Sequence, residues 1–157
     1  MLSMFLVAVD NLKSSIWALE VDSKGVDSNV GVDLLIGRLK LSGYEGVKIT
    51  VRSDEEPSLV AFKEALAVRR KAETSFIESP VRESKCNGLV ERAIRNLRDQ
   101  YRTLRHQLER RIGEPINNVM SSWLVTWAAD VINKYRVHPN GRTSFEMMTN
   151  HKCKHIS

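Results

Sequence analysis

A chain of 157 residues, 42% hydrophobic and 27% charged, has the size and make-up of one soluble globular domain, which argues against a disordered chain. Its net charge of +5 favours a polyanionic partner. With only Cys86 and Cys153 there is no disulfide framework, so a reducing, intracellular compartment is the expectation.

The opening MLSMFLVAV lacks a positive leader and runs into Asp10, so it reads as a strand rather than a signal peptide, and no membrane partner is expected. Phe5 to Val9 and Ser15 to Val21 form two strands joined by a hairpin-sized loop, which makes them antiparallel. Ser28 to Leu41 reads as a helix from its flanking Asp-Ser-Asn and Ser-Gly signals. Val47 to Ser53 alternates β-branched and polar residues, a strand that finishes at Asp54. Pro57 then opens a helix to about Lys71, with Leu59, Phe62 and Leu66 inward, and Thr74 to Glu78 is a short strand. Pro80 to Cys86 reads as polar loop. Gly113-Glu114-Pro115 separates the long helix that follows from a last apolar helix over about Val119 to Asn133. Trp17, Trp123 and Trp127 are expected in the core, the last two on one helix face at i, i+4.

The long helix carries the most information. Asn87 is its expected N-cap, and Gly88 allows a backbone or ligand to come close. Val90, Ile94, Leu97, Tyr101, Leu104, Leu108 and Ile112 alternate steps of four and three and should form one buried stripe. Beside it, Glu91, Arg95, Arg98, Arg102 and Arg105 make a row that begins in a carboxylate and continues in guanidinium groups. From Asn87 to Ile112, seven arginines stand against Glu91, Asp99 and Glu109, for a net +4. Such a face is either ordinary solvated helix surface or a nucleic-acid contact, and the single sign favours the latter. Glu91 could simply pair with Arg95, and Asp54 could simply be a turn or capping acid.

Taken together, Asp54, Ser79-Pro80, Asn87-Gly88 and Glu91-Arg92 resemble the catalytic core of integrases from retroviruses and copia-like retrotransposons. Thirty-six residues lie between Asp54 and Glu91. Phe5 to Val21 is similar to that family's strand pair, and Trp123 to Met148 to the segment that ends its retrotransposon cores. Gly141-Arg142-Thr143-Ser144-Phe145 resembles its Gly-Arg-Thr-Pro turn, with Ser144 in place of proline. Glu55-Glu56-Pro57 departs from the family, where an Asn-Gly pair commonly follows the Asp.

The resemblance implies an RNase H-like α/β fold, a mixed sheet flanked by helices, with a partial catalytic core over 1–115 and a helical tail over 116–157. It implies DNA integration, with Asp54 and Glu91 as catalytic residues holding Mg2+ or Mn2+. It also implies DNA contacts from Lys85, Asn87, Arg92, Arg95, Arg98, Arg102 and Arg105. Partners would be DNA, further integrase segments or a second copy, and the site of action the nucleus. The chain begins at what matches the family's second strand, so the first, central strand and its Asp are expected to be missing, as are the zinc-binding and C-terminal DNA-binding modules of complete integrases. Asp10 would lie at the opposite sheet edge, roughly 17–20 Å from the metal position, and Asp22 about three strand spacings away, so neither replaces the lost acid. The chain alone is therefore expected to be inactive, and the alternative function is a non-catalytic nucleic-acid-binding or interaction remnant. Either Phe5–Val9 and Val47–Val51 pair directly to close the sheet, or another chain fills the gap. His151, Cys153 and His155 alternate in a terminal segment that gives a weak hint of metal binding.

Overall fold

A computed structural model describes residues 4–21, 29–54, 56–78 and 84–154. The chain divides into two compact units, one of residues 1–20 and 89–157 and the other of residues 21–88. The first unit includes the helical stretch after residue 116, of which Ala128, Ala129 and Ile132 lie in its core.

In the first unit, β1 (Met4–Val9) pairs with β2 (Ile16–Val21). Their short connection permits only an antiparallel hairpin, because a parallel return needs a dozen residues or more. Ser14 takes the left-handed conformation at φ 56°, and the Asp10 carboxylate accepts the Leu12 N–H at 2.9 Å, so the turn is built from side chain and backbone together. Ile16, Trp17, Ala18 and Leu19 are all buried, placing both faces of β2 inside. Trp17 is thus in the core, as expected.

Two long helices cover this hairpin: α3 (Ser84–Ile112) and α4 (Asn118–Tyr135). The core gathers Ile16, Ala18, Ala93, Leu97, Ala128, Ala129 and Ile132, with Phe5, Val7, Val9, Tyr101, Leu104 and Val125 packed against it. Ala93 of α3 and Ala128 and Ala129 of α4 all lie in this cluster, small side chains at the centre of the core. The predicted stripe is therefore corrected in three places: Ala93 joins it, while Ile94 and Ile112 are 37% and 43% exposed. Gly113, at φ 81°, stops α3 by donating its N–H to Glu109 O at 2.9 Å. Asn117 caps α4, accepting the Met120 N–H at 2.9 Å.

The start of α3 also differs from expectation. The helix already begins at Ser84, so Asn87 lies inside it and is not its N-cap, and Ser84 to Cys86 are helical rather than loop. Residues 80–83 of the expected loop lie outside the described residues. A Cβ on Gly88 would meet nothing within 4 Å, so no close neighbour requires a glycine there.

The second unit contains α1 (Val30–Leu41), β3 (Ile49–Ser53), α2 (Pro57–Arg69) and β4 (Thr74–Glu78). β3 and β4 are parallel, Val51 opposite Phe76, and α2 is the crossover that a parallel pair requires. Val32, Leu35, Leu39 and Leu66 are buried. Gly31 is dictated by packing, since a Cβ there would lie 2.6 Å from Val21 Cγ1. Asp33 takes a two-point clamp from Arg69, both bonds 2.9 Å, which ties α1 to α2. The buried Arg70 guanidinium donates to the carbonyls of Tyr44, Val47 and Glu73, satisfying the backbone that enters β3 and β4. Burial pushes its pKa down, although it has only neutral partners here.

The four strands form two separate two-stranded sheets, so among the described residues β1 does not pair with β3.

Candidate nucleic-acid interface

On α3, successive residues turn by about 100°, so Arg95, Arg98 and Arg102 line up in one strip roughly two fifths of a turn from the buried line of Ala93, Leu97 and Leu104. Arg92, Arg95, Arg98 and Arg102 are all exposed, and among the described residues none has a hydrogen bond or ion pair. Glu91, at the head of the strip, is exposed too, and the Glu91–Arg95 pair that the spacing allowed is not formed.

Arg105 differs from its neighbours. Its Nε donates to Glu109 Oε1 at 2.9 Å, and that oxygen also accepts the Ile116 N–H at 3.2 Å. The bond to Glu109 raises the pKa of Arg105, while the bonds from Arg105 and then from Ile116 lower that of Glu109. This pair closes the corner between α3 and α4, helped by Tyr101 Oη and Ser121 Oγ at 2.6 Å. Lys85 and Asn87 sit in the first turns of α3, their side chains outside the described residues.

Asp54 follows the last residue of β3 and is exposed, its own carbonyl accepting from Ser53 Oγ at 3.1 Å. It does not cap α2, whose N-cap is Glu56 with Pro57 in the first turn. Asp54 and Glu91 stand on different units. Among the described residues no group of three or more His, Cys, Asp or Glu could hold a metal ion. A two-ion site shares several carboxylates, so these donors do not by themselves fit the Mg2+ or Mn2+ that the resemblance implies. Asp10 is used in its turn, and Asp22, Glu55 and His155 lie outside the described residues. Cys153 Sγ lies 3.9 Å from Tyr135 Oη.

A comparison with solved structures matches these elements to the catalytic core domain of BIV integrase. Identity is 19% over 94% of this chain and 86% of that one, with a TM-score of 0.61. The chain has an integrase catalytic-core-like fold. A chain of the simian T-cell lymphotropic virus intasome, solved in complex with the PP2A regulatory subunit B56 gamma, is similar over 99% of this chain at 15% identity, with a TM-score of 0.63. The present chain spans only 51% of that chain's length. No family model matches the sequence, and no curated protein does.

Within this integrase-core fold, the C-terminal segment holds features that sequence reasoning missed. A short helix, α5 (Ser144–Thr149), begins with a capping box: Thr143 Oγ1 accepts the Glu146 N–H at 3.1 Å, and Glu146 Oε2 accepts the Thr143 N–H at 3.0 Å. Thr-x-x-Glu is a readable helix start, so the signal was present at Thr143. Ser144 Oγ donates to Ser14 O at 3.0 Å and accepts from His138 Nε2 at 2.9 Å, stapling α5 to the β1–β2 turn. Asn133, buried in α4, takes the Ile16 N–H at 2.8 Å and gives its own N–H to Ile16 O at 2.7 Å. No local pattern marks Asn133, because its partner is 117 residues away. Trp123 and Trp127, expected in the core, are 59% and 39% exposed, stacked on each other with ring centroids 5.7 Å apart. The interior side of α4 is filled instead by Leu124, Ala128, Ala129 and Ile132.

Proposed function

We propose that this chain is a DNA-binding, integrase-type core whose arginine strip on α3 grips the phosphate backbone. The observation that carries the reading is the row of exposed guanidinium groups at Arg95, Arg98 and Arg102, with Arg92 beside it, left without acidic partners among the described residues. A phosphate ligand supplies the acceptor oxygens such groups otherwise find only in water, and release of condensed counterions drives the association. The fold likeness to retroviral integrase cores supports an integrase ancestry, and the sequence resemblance adds a retrotransposon type with Asp54 and Glu91 as the inherited carboxylates. Bound divalent ions would supply hydroxyl activation and phosphoryl-charge neutralisation there. Because the described donors do not complete such a site, strand transfer is not expected of this chain alone. The setting would be intracellular, and nuclear where the DNA is chromosomal.

Titrating a fluorescent DNA duplex at several salt concentrations tests this. Three phosphate contacts give a slope of log affinity against log salt of about −2.7. Changing Arg95, Arg98 and Arg102 together to Gln should remove most of that slope, whereas Arg105→Gln should leave it almost unchanged, since that side chain is committed to Glu109. A slope untouched by the triple change would take α3 out of the interface. DNA joining in Mg2+ or Mn2+ that disappears with Asp54→Asn would refute the non-catalytic part.

A further inference from the structure

Between α3 and α4 runs a groove of about 410 Å³, inside the roughly 300–1,000 Å³ range of small-ligand sites. One bank is Asn96, Asp99 and Gln100 of α3, and the other is Val131 and Tyr135 of α4 with Arg136 at its C-cap. At about 100° per residue the α3 bank lies between the arginine strip and the buried line of Ala93, Leu97 and Leu104, roughly a third of a turn from the strip. Strip and groove are therefore neighbouring parts of one surface. Asn96 and Gln100 are half-buried and Asp99 is exposed, and among the described residues none of these three side chains has a hydrogen bond or ion pair. The Thr103 hydroxyl donates to the Asp99 carbonyl at 3.0 Å, which leaves the carboxylate oxygens to other donors. Tyr135 is 45% exposed beside the groove, its hydroxyl 3.9 Å from Cys153 Sγ. The guanidinium of Arg136 is exposed and, among the described residues, makes no hydrogen bond or ion pair.

We propose that this groove is a subsite for one unpaired nucleobase that carries an exocyclic amino group, adenine or cytosine, with the flanking phosphates on the arginines at its rims. The inference rests on the nucleic-acid reading of α3 and adds the form of nucleic acid that α3 and α4 take together. Hydrogen-bond chemistry is the first argument. Adenine and cytosine each present an amino donor beside a ring-nitrogen acceptor. A carboxylate accepts from the cytosine amino group, and an Asn or Gln amide answers both edge atoms of adenine, so Asp99, Asn96 and Gln100 cover the two bases. Thymine would turn its O4 toward Asp99, acceptor against acceptor. Half-buried amides without protein partners gain most from such an edge. Shape is the second argument, since Val131 and Ile132 give an apolar floor for a flat ring and Tyr135 a face for stacking. Charge is the third. Arg95 and Arg102 on one side and Arg136 on the other put cations at both rims around a single carboxylate. That pattern repels a basic peptide, whereas a nucleotide brings phosphates to the rims and an uncharged base to the middle. A base inside a duplex keeps its faces in the stack, so an unpaired one is required.

The test is fluorescence anisotropy of the whole chain with four labelled DNA duplexes of the same flanking sequence. One is fully paired, and the others carry a single bulged adenine, cytosine or thymine. The paired duplex reports the arginine strip alone. Bulged adenine and cytosine should each bind about tenfold more tightly than bulged thymine, the discrimination expected of one recognised base edge. Asp99→Asn keeps the size of the side chain and replaces one acceptor by a donor. It should abolish that preference and raise the affinity for the thymine bulge, a reversal that loss of folding cannot produce. Tyr135→Leu should bring all three bulges toward the paired duplex. Arg102→Gln should weaken binding of every probe while keeping the ratio between bases. The two readings fail differently. Binding of none of the four duplexes would overturn both. A paired duplex that binds, with the three bulges bound alike, would keep the strip and overturn the groove. So would a preference that Asp99→Asn leaves unchanged.

Discussion

The helices α3 and α4 meet one core through alanines, Ala93 on the first and Ala128 and Ala129 on the second, yet turn opposite chemistries outward. α3 shows guanidinium groups, α4 indoles. A packed core constrains only a narrow stripe of each helix, so the remaining surface is left open to other demands. Charge without internal partners suits a polyanion, and rigid apolar area suits a surface that is covered.

The largest test asks whether the core is truly common to both. Leu97 is 5% exposed, and Leu97→Ala should cost about 2–5 kcal/mol through lost burial and the cavity left behind. In a urea melt, tryptophan fluorescence, to which Trp123 and Trp127 of α4 contribute, and helical ellipticity, to which α3 contributes most as the longest helix, should move together. Two separated transitions would mean that the helices are stabilised independently. A smaller effect sharpens the contrast between inner and outer faces. Trp123→Ala with Trp127→Ala should cost less than Leu97→Ala, because neither ring belongs to the core cluster and they are 59% and 39% exposed. A loss comparable to Leu97→Ala would show that the stacked pair is structural.

How far all this could be read in the chain depended on the range of the forces involved. The order of strands and helices followed from periodicity and turn residues, and Asp54, Glu91 and the arginine row fell on the elements expected of them. What failed was decided by distant neighbours. Asn87-Gly88 reads locally as a helix start, yet α3 runs through it from Ser84. Trp123 and Trp127 were given the interior of α4, whereas Ala128 and Ala129 are buried there and the two indoles are 59% and 39% exposed. Arg105 looks like its neighbours in sequence and is separated from them only by the turn that brings Ile116 to Glu109.

The smallest expected effect is on pH dependence. Burial first, and the nearby Arg136 charge second, hold the His138 pKa below its ordinary 6.5. The unfolded chain therefore binds the proton more readily, so stability is full above that value and falls as pH drops through it toward the folded pKa. Glu109, held below its ordinary 4.5 mainly by its bond from Arg105, adds a second loss as the solution becomes more acidic still. Thermal melts at stepped pH should show the first decline in the native chain and a reduced one in His138→Gln. An equal decline in both would assign it to another group.

Asn133 has a consequence for how the sheet can grow. In an antiparallel strand each residue points its N–H and C=O to the same side, and those of Ile16 are taken by the Asn133 amide rather than by β1. One side chain thus imitates the first rung of a neighbouring strand and occupies the place where a foreign strand would begin to zip onto β2. It is a gatekeeper against edge-to-edge aggregation supplied by a helix. Extension of this hairpin is thereby directed to its other margin, where Phe5, Val7 and Val9 alternate along β1.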